Sequence, residues 1–600
     1  MRFLRVKISE AVRCLFKHES PLLIISMCVL FGVRLWLGRK LGCSFDPTLY
    51  NDDMLLINYA DLYGHFVAHN LPLQDSLAKV MGYPLILWFV KVSGLVYADV
   101  ISTFWFGAAC VQVMLIRVLR GEKNFPLDLA IFAFALFTPI AFDFNTGPKL
   151  YRNAVLPPLY FVVLAMMTIL SAWHFLKAQI NPRRVLAFNV IFGLIFTLTY
   201  YVKEDGIWLL YCLVAVMMIC FVKIITDGKK IIPCVILLLV PLIIFAGGTV
   251  AYKAVNKIFF GVYLINNRTE GELGRFQRLI YKIKSDERTA TIWTPTDALA
   301  KAFDTSETLR GTPALREEIF HTNWFGGDIE KNPITGEFLS WVMLTELYES
   351  GACENLSEQE KFLGKVNDEL EAAFDAGALE EDDRFQLLSS MGGMTLEEIF
   401  SLGELVLIEY ETHVTLNYYL PGVVPFDFAP YAKKFGVLRD SEDYDAEKFI
   451  IRQATEPKDA LDKAAAITHM NFSEADARAD DTNRLIEKIF SAYSVIQCVL
   501  FVAAVIGVIG GLRAVIRRKK IFSVNDYLML AVACGLMLLS GCYAFAVAWF
   551  CEFVRGSGNP VWFLFLKYYS TALVPMLMTF EILGACLFCR LCKKIFEGSV

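Results

Sequence analysis

The chain has 600 residues, of which 56% are hydrophobic and only 20% charged, too apolar for an ordinary soluble protein and indicative of many membrane spans. The net charge of −5 conceals a division: 24 Lys and Arg face 44 Asp and Glu between Lys253 and Glu487, whereas 33 face 18 in the flanks. An acidic soluble middle therefore lies between basic membrane flanks, and no basic patch suggests a nucleic-acid partner.

The start, MRFLRVKISEAVRCLFKHES, is basic, and no small-residue cleavage site follows the next apolar run. It reads as the cytoplasmic lead to a retained helix rather than a cleaved signal. The first span runs from Pro21 to about Gly38, entered from the cytoplasm because Arg2, Arg5, Lys7, Arg13 and Lys17 precede it. An outer loop follows, Cys43 to Pro84. The apolar run Tyr83 to Val96 is too short to span and contains Lys91, so it reads as an interfacial helix. The second span is Ala98 to Leu119, and the third Leu127 to about Ala141. The fourth is Ala154 to about Trp173, the fifth Val185 to Tyr201, the sixth Ile207 to Val222 and the seventh Ile231 to about Tyr252. The eighth, Ile489 to Leu512, the ninth, Tyr527 to Phe550, and the tenth, Val561 to Phe588, complete a bundle of about ten spans with both termini cytoplasmic. Three units result: an N-terminal membrane domain, 1–252, a soluble extracytoplasmic domain, 253–487, and a C-terminal membrane domain, 488–600. In this topology Lys123, Lys229 and Lys519 are cytoplasmic, while Asp52, Glu204 and Glu360 are outside.

The soluble insert reads as mainly helical. Ser357 and Glu360 form a capping-box pattern. Phe362, Val366, Leu370 and Phe374 then recur on one face, and Gly377 stops the helix. TDALAKAF, after Pro295, and the run Phe338 to Tyr348 are two further helices. Leu416 to Tyr431, rich in Pro and aromatics, reads as a loop on the membrane surface. Asn267, Asn355 and Asn471 begin N-x-S/T triplets, relevant only in an endoplasmic reticulum lumen.

The chemistry concentrates in the first outer loop. Asp52 and Asp53 are adjacent, and paired carboxylates push each other's pKa values apart, which suits one of them to base work. Capping and solvating a juxtamembrane helix is the plainer role for the same pair. Lys79 lies later in the loop, just before Gly82, Tyr83 and Pro84. Asp143, Arg152, Lys203 and Glu204 fall at other span ends that the charge bias places on the same side, and ionisable groups so placed are functional candidates. His65 and His69, four residues apart, read as a solvated helix face rather than a metal pair. Most of the 15 cysteines lie in spans, and Cys586, Cys589 and Cys592 read as buried thiols or acylation sites.

This order of elements resembles the GT-C superfamily of integral-membrane glycosyltransferases, which use polyprenyl-phosphate-linked sugars. Asp52-Asp53 resembles the paired acids in the first outer loop of protein O-mannosyltransferases and lipid A aminoarabinose transferases. Lys79 in AKVMGYP resembles the lysine-proline motif that follows there. YVKEDGIWLL and GPKLYRNAVLPPLY resemble charged span-end motifs of uncharacterised bacterial relatives, with Lys203 and Asn153 departing from the usual Arg and Glu. The segment from Phe338 to Phe374 is similar to their soluble part. The resemblance implies an α-helical polytopic GT-C-like fold in a bacterial inner or plasma membrane, with a mainly helical extracytoplasmic domain. It implies an inverting transfer of sugar from a polyprenyl-phosphate donor to a cell-envelope glycan, lipid or protein. Asp52 is then the general base with Asp53 beside it. Lys79, Arg152 and Lys203 are the donor-phosphate ligands, and Asp143 and Glu204 are supporting acids. No cofactor is called for; a divalent metal stays open, since adjacent acids also serve metal sites.

The competing class is a transporter or flippase of lipid-linked sugars, because intramembrane charges also serve transport pathways. Transporters show inverted repeats and helices broken near the midplane. No two halves of this chain match, and its charges lie at outer span ends, so the transferase reading is preferred.

Overall fold

The computed structural model describes residues 21–43, 52–63, 76–143, 146, 150, 152–175, 182–228, 231–420, 458–470, 479–517, 522–558 and 562–596. Lys229, Lys519, His65, His69, Asn471 and most of the loop expected at 416–431 lie outside these. The described residues form helices and three isolated β-bridges, with no strands.

Among the described residues, nine helices are long and apolar enough to cross a bilayer: Pro21–Leu41, Tyr97–Arg120, Leu156–Phe175, Pro182–Tyr200, Ile207–Thr226, Ile232–Phe260, Arg484–Ile516, Val524–Gly556 and Leu573–Phe596. The expected third span differs. Phe125–Leu136 has 12 residues, about 18 Å of helix against a hydrocarbon core of about 30 Å. Asn124 caps its start through Leu127 N–H. It stops before Pro139, which has no N–H to continue the ladder and instead opens the turn Pro139–Ala141. The run expected to be interfacial is also a short helix, Gly82–Ser93, ended by Gly94 in the left-handed conformation at φ 70°.

The middle of the chain has its own core. Trp293, Phe276, Leu299, Phe303, Leu344, Leu363, Val366 and Leu370 are all fully buried in it. Thr296–Thr305, Leu339–Glu349 and Leu356–Asp375 are the three helices expected there. The cap of the last differs from expectation. Asn355 accepts from Glu358 N–H at 3.1 Å, two residues ahead of the Ser357–Glu360 pattern, because the amide side chain reaches the first turn before the serine can. Gly377 does follow the helix, at φ 71°. Asn267 is fully buried and bonded to Gln359, so its triplet is structural.

Leu396–Thr415, sequentially part of the soluble insert, packs on the membrane helices. Leu402 and Leu405 join the same core as the spans. Tyr410 shares a 2.7 Å hydrogen bond with Ser540, and Ser494 donates to Thr415 O at 2.7 Å. Leu396, Phe400 and Leu407 stay exposed on this helix.

Candidate functional site

The segment after the first loop is laid against the turn that joins two spans. Gly82 N–H donates to Tyr201 O at 2.8 Å, and Val80 N–H donates to Glu204 at 3.4 Å. Only glycine permits this approach: a Cβ at position 82 would stand 2.3 Å from Tyr201 O. The residues after the Ile232–Phe260 helix hold the same segment from its other side: Asn266 donates to Ala78 O at 3.0 Å and Asn267 N–H to Leu77 O at 2.9 Å. From that helix itself, the Tyr252 hydroxyl accepts from Met81 N–H at 2.8 Å.

Cations gather around this junction. Arg152, 2% exposed, forms an ion pair with Glu204. Lys79 is 5% exposed, and its ammonium lies 4.9 Å from the centre of the Trp341 ring. The Arg268 guanidinium lies 4.2 Å from the same ring. Arg268 also bonds Glu337 at 2.7 Å and Ser340 at 3.1 Å. Burial acts to raise the Glu204 carboxyl, but Arg152, then Lys79 and Arg268, overcome it and pull it down to about 2. Among the described residues Glu204 and Glu337 face these three cations, and the Trp341 ring lies against two of them.

The paired acids sit next to this cluster. Asp52 opens the helix Asp52–Tyr63; its side chain lies outside what the structure describes. Asp53 is 2% exposed and turns toward the Tyr83–Tyr97 pair, whose hydroxyls are 2.6 Å apart. Burial, the Tyr97 hydroxyl and then the Asp53 carboxylate push the Tyr83 hydroxyl well up. Two turns on, the Tyr59 hydroxyl accepts from Ala78 N–H at 3.1 Å, next to Lys79. The acid helix and the cationic segment are therefore bonded neighbours.

Two of the expected residues face elsewhere. Lys203 turns away from Glu204, pairs with Asp205 at 3.2 Å and stands 4.7 Å and 5.5 Å from the Tyr569 and Tyr568 ring centres. Asp143 is fully buried, accepting from Lys567 at 2.8 Å and from Leu420 N–H at 2.8 Å. Beside it, His413 bridges Tyr419 and Ser570, each at 2.8 Å. These groups lock the Leu396–Thr415 helix onto the segments around Asp143 and Ser570. Arg268, Trp341 and Lys567 had no signal in the sequence, where Arg268 was legible only as the middle of the Asn267 triplet. The one three-acid group among the described residues able to meet on a cation, Glu318, Glu346 and Glu349, belongs to the soluble part. Cys586, Cys589 and Cys592 are free thiols on the last span helix, Cys589 exposed. No family model, curated protein or solved structure matches the chain.

Proposed function

We propose that the protein is an integral-membrane, inverting glycosyltransferase that uses a polyprenyl-phosphate sugar. The supporting observation is the cluster of Lys79, Arg152 and Arg268 around Glu204, bonded through residues 78–83 to the helix that begins with Asp52 and Asp53. Its cations suit a phosphodiester, which carries one negative charge. When the sugar leaves, the phosphate gains charge, and fixed cations are most useful at that moment. In the proposed reaction Asp52 takes the proton of an acceptor hydroxyl. The oxygen attacks the anomeric carbon, the bond from that carbon to the phosphate oxygen breaks, and the electron pair leaves with the lipid phosphate. Asp53, buried beside the tyrosine pair, orients the loop. Lys203 is held by Asp205 beside the Tyr568 and Tyr569 rings, and Asp143 holds Lys567 and Leu420 N–H.

The reading includes ten crossings with the site outside. Contacts support it. Residues 79–82, Arg152 and residues 201–204 touch, so they share one face. Tyr97–Arg120 leads away to another face, where Asn525 donates to Leu119 O at 2.8 Å and Arg590 pairs with Asp526. The chain must return between 121 and 152, and Phe125–Leu136 is the one α-helix available among the described residues. Basic residues at 117–123 and 590–594 then mark the cytoplasmic face.

The test uses purified full-length protein, a polyprenyl-phosphate sugar and a cell-envelope acceptor fraction, scored for release of lipid phosphate. Asp52→Asn should lower transfer by roughly 10²–10⁴-fold with donor binding little changed. Lys79→Ala should weaken both donor capture and turnover. Full activity in both Asp52→Asn and Asp53→Asn would remove the mechanism and favour movement of lipid-linked sugars across the membrane instead.

A further inference from the structure

Between the helices Phe125–Leu136, Ala479–Ile516 and Leu573–Phe596 a cavity of about 850 Å³ runs from Arg120 and Arg590 toward Phe137 and Ile489. Its walls are apolar, with Ile131, Phe134, Ile496 and Ile582 among them, and its volume is in the range of about 300–1,000 Å³ usual for ligand sites. One end carries Arg120, Glu122 and Arg590. Arg120 is only 8% exposed. Its Nη2 donates to Glu122 at 3.1 Å, whereas Nη1 has no hydrogen-bond partner and its nearest acid, Asp128, is 3.8 Å away. Arg590 is anchored by Asp526 and by Arg120 O.

A buried guanidinium N–H without an acceptor is costly, and here it borders a long apolar cleft among membrane helices. The ligand that satisfies both features has an anionic head and an apolar tail. In the proposed topology the Arg120 end lies on the face that carries Lys123, Arg513, Arg517, Lys593 and Lys594, which draw anionic headgroups to that surface. Glu122 holds Nη2 of Arg120 and Asp526 holds Arg590, while Asp128, hydrogen-bonded to Arg117 at 2.9 Å, faces Nη1 of Arg120 from 3.8 Å, too far for a hydrogen bond.

We propose that this cleft binds one anionic glycerophospholipid from the leaflet at the Arg120 end. Its phosphodiester accepts from Arg120 and Arg590, and an acyl chain lies along Ile131, Phe134 and Ile582. The site is separate from the sugar-transfer reading and stands or falls without it.

Delipidated full-length protein in detergent, titrated with phosphatidylglycerol or phosphatidylcholine and read by native mass spectrometry and thermal shift, tests the proposal. Phosphatidylglycerol should bind with one-to-one stoichiometry, about tenfold or more tighter than phosphatidylcholine, the scale of one charge-assisted hydrogen bond. Arg590→Gln should erase most of that preference. Ala585→Phe, which fills the cleft without touching a charge, should abolish the tight adduct while the lipid-free protein keeps its melting temperature. Equal binding of the two lipids would overturn the proposal. So would a phosphatidylglycerol preference that survives Ala585→Phe, or saturation by a polyprenyl phosphate alone.

Discussion

Glu204 gathers the charges of the candidate site. It is the acid on which Arg152, Lys79 and Arg268 act together, and their charges outweigh the opposing effect of burial. Its carboxyl falls from the ordinary 4.5 to about 2, so the folded state is favoured over the unfolded one above pH 4.5. That advantage disappears as the pH drops through about 2. Replacing it by Gln removes the titration but keeps the shape. The difference in melting temperature between wild type and Glu204→Gln should therefore be full at pH 7 and narrow as the pH falls from 4.5 toward 2. A difference that stays constant over that window would mean the ion pair with Arg152 contributes nothing. Asp52, Asp53, Lys79, Arg152 and Glu204 were legible as site candidates because each sits in a charged motif at the end of an apolar run. Arg268 was not, because it is one of 24 cations in an acidic region, and only folding selects it. Lys203 and Asp143 were legible as charges, but their partners, Asp205 and Lys567, decide where they face.

At the scale of elements, the junction between residues 79–82 and 201–204 depends on one missing side chain. Alanine at position 82 would press Cβ into the carbonyl of Tyr201, which is backbone and cannot rotate away. The two segments must separate, with loss of the Gly82–Tyr201 bond and of the Val80–Glu204 contact. Gly82→Ala should cost about 1–3 kcal/mol of stability, and transfer should fall by far more than the stability loss explains. Gly94→Ala is the control. Its Cβ would meet nothing within 4 Å, and the cost is the left-handed backbone alone, about 1–2 kcal/mol, with activity retained. Equal activity in the two variants would show that the junction does not position the site. The helix Leu396–Thr415 gives a second lesson. Glu397, Glu398, Glu404 and Glu411 made it read as soluble, yet Leu396, Phe400 and Leu407 remain exposed while its other face packs on the spans. The apolar stripe was present in the sequence, but charge density concealed it.

For the whole molecule, the helical membrane architecture was legible because spans are long apolar runs that no soluble fold needs. The short third helix was not, since the stop at Pro139 lies inside a run that hydropathy alone reads through. The consequence reaches the function. In the proposed topology Phe125–Leu136 carries the chain back across, which puts the Lys79 segment and Arg152 on one side, where they converge on Glu204. Cysteine labelling in intact cells, in a background with the native cysteines replaced, decides it. A membrane-impermeant maleimide should label Lys361→Cys, exposed on the Leu356–Asp375 helix, and should leave Lys123→Cys untouched until the membrane is opened. Labelling at 123 with protection at 361 would turn the molecule over. The Lys79, Arg152 and Arg268 cluster would then face the cytoplasm, and an extracytoplasmic acceptor could not be the substrate. Labelling at both positions would place 123 and 361 on one side and leave Tyr97–Arg120 unable to be the second crossing.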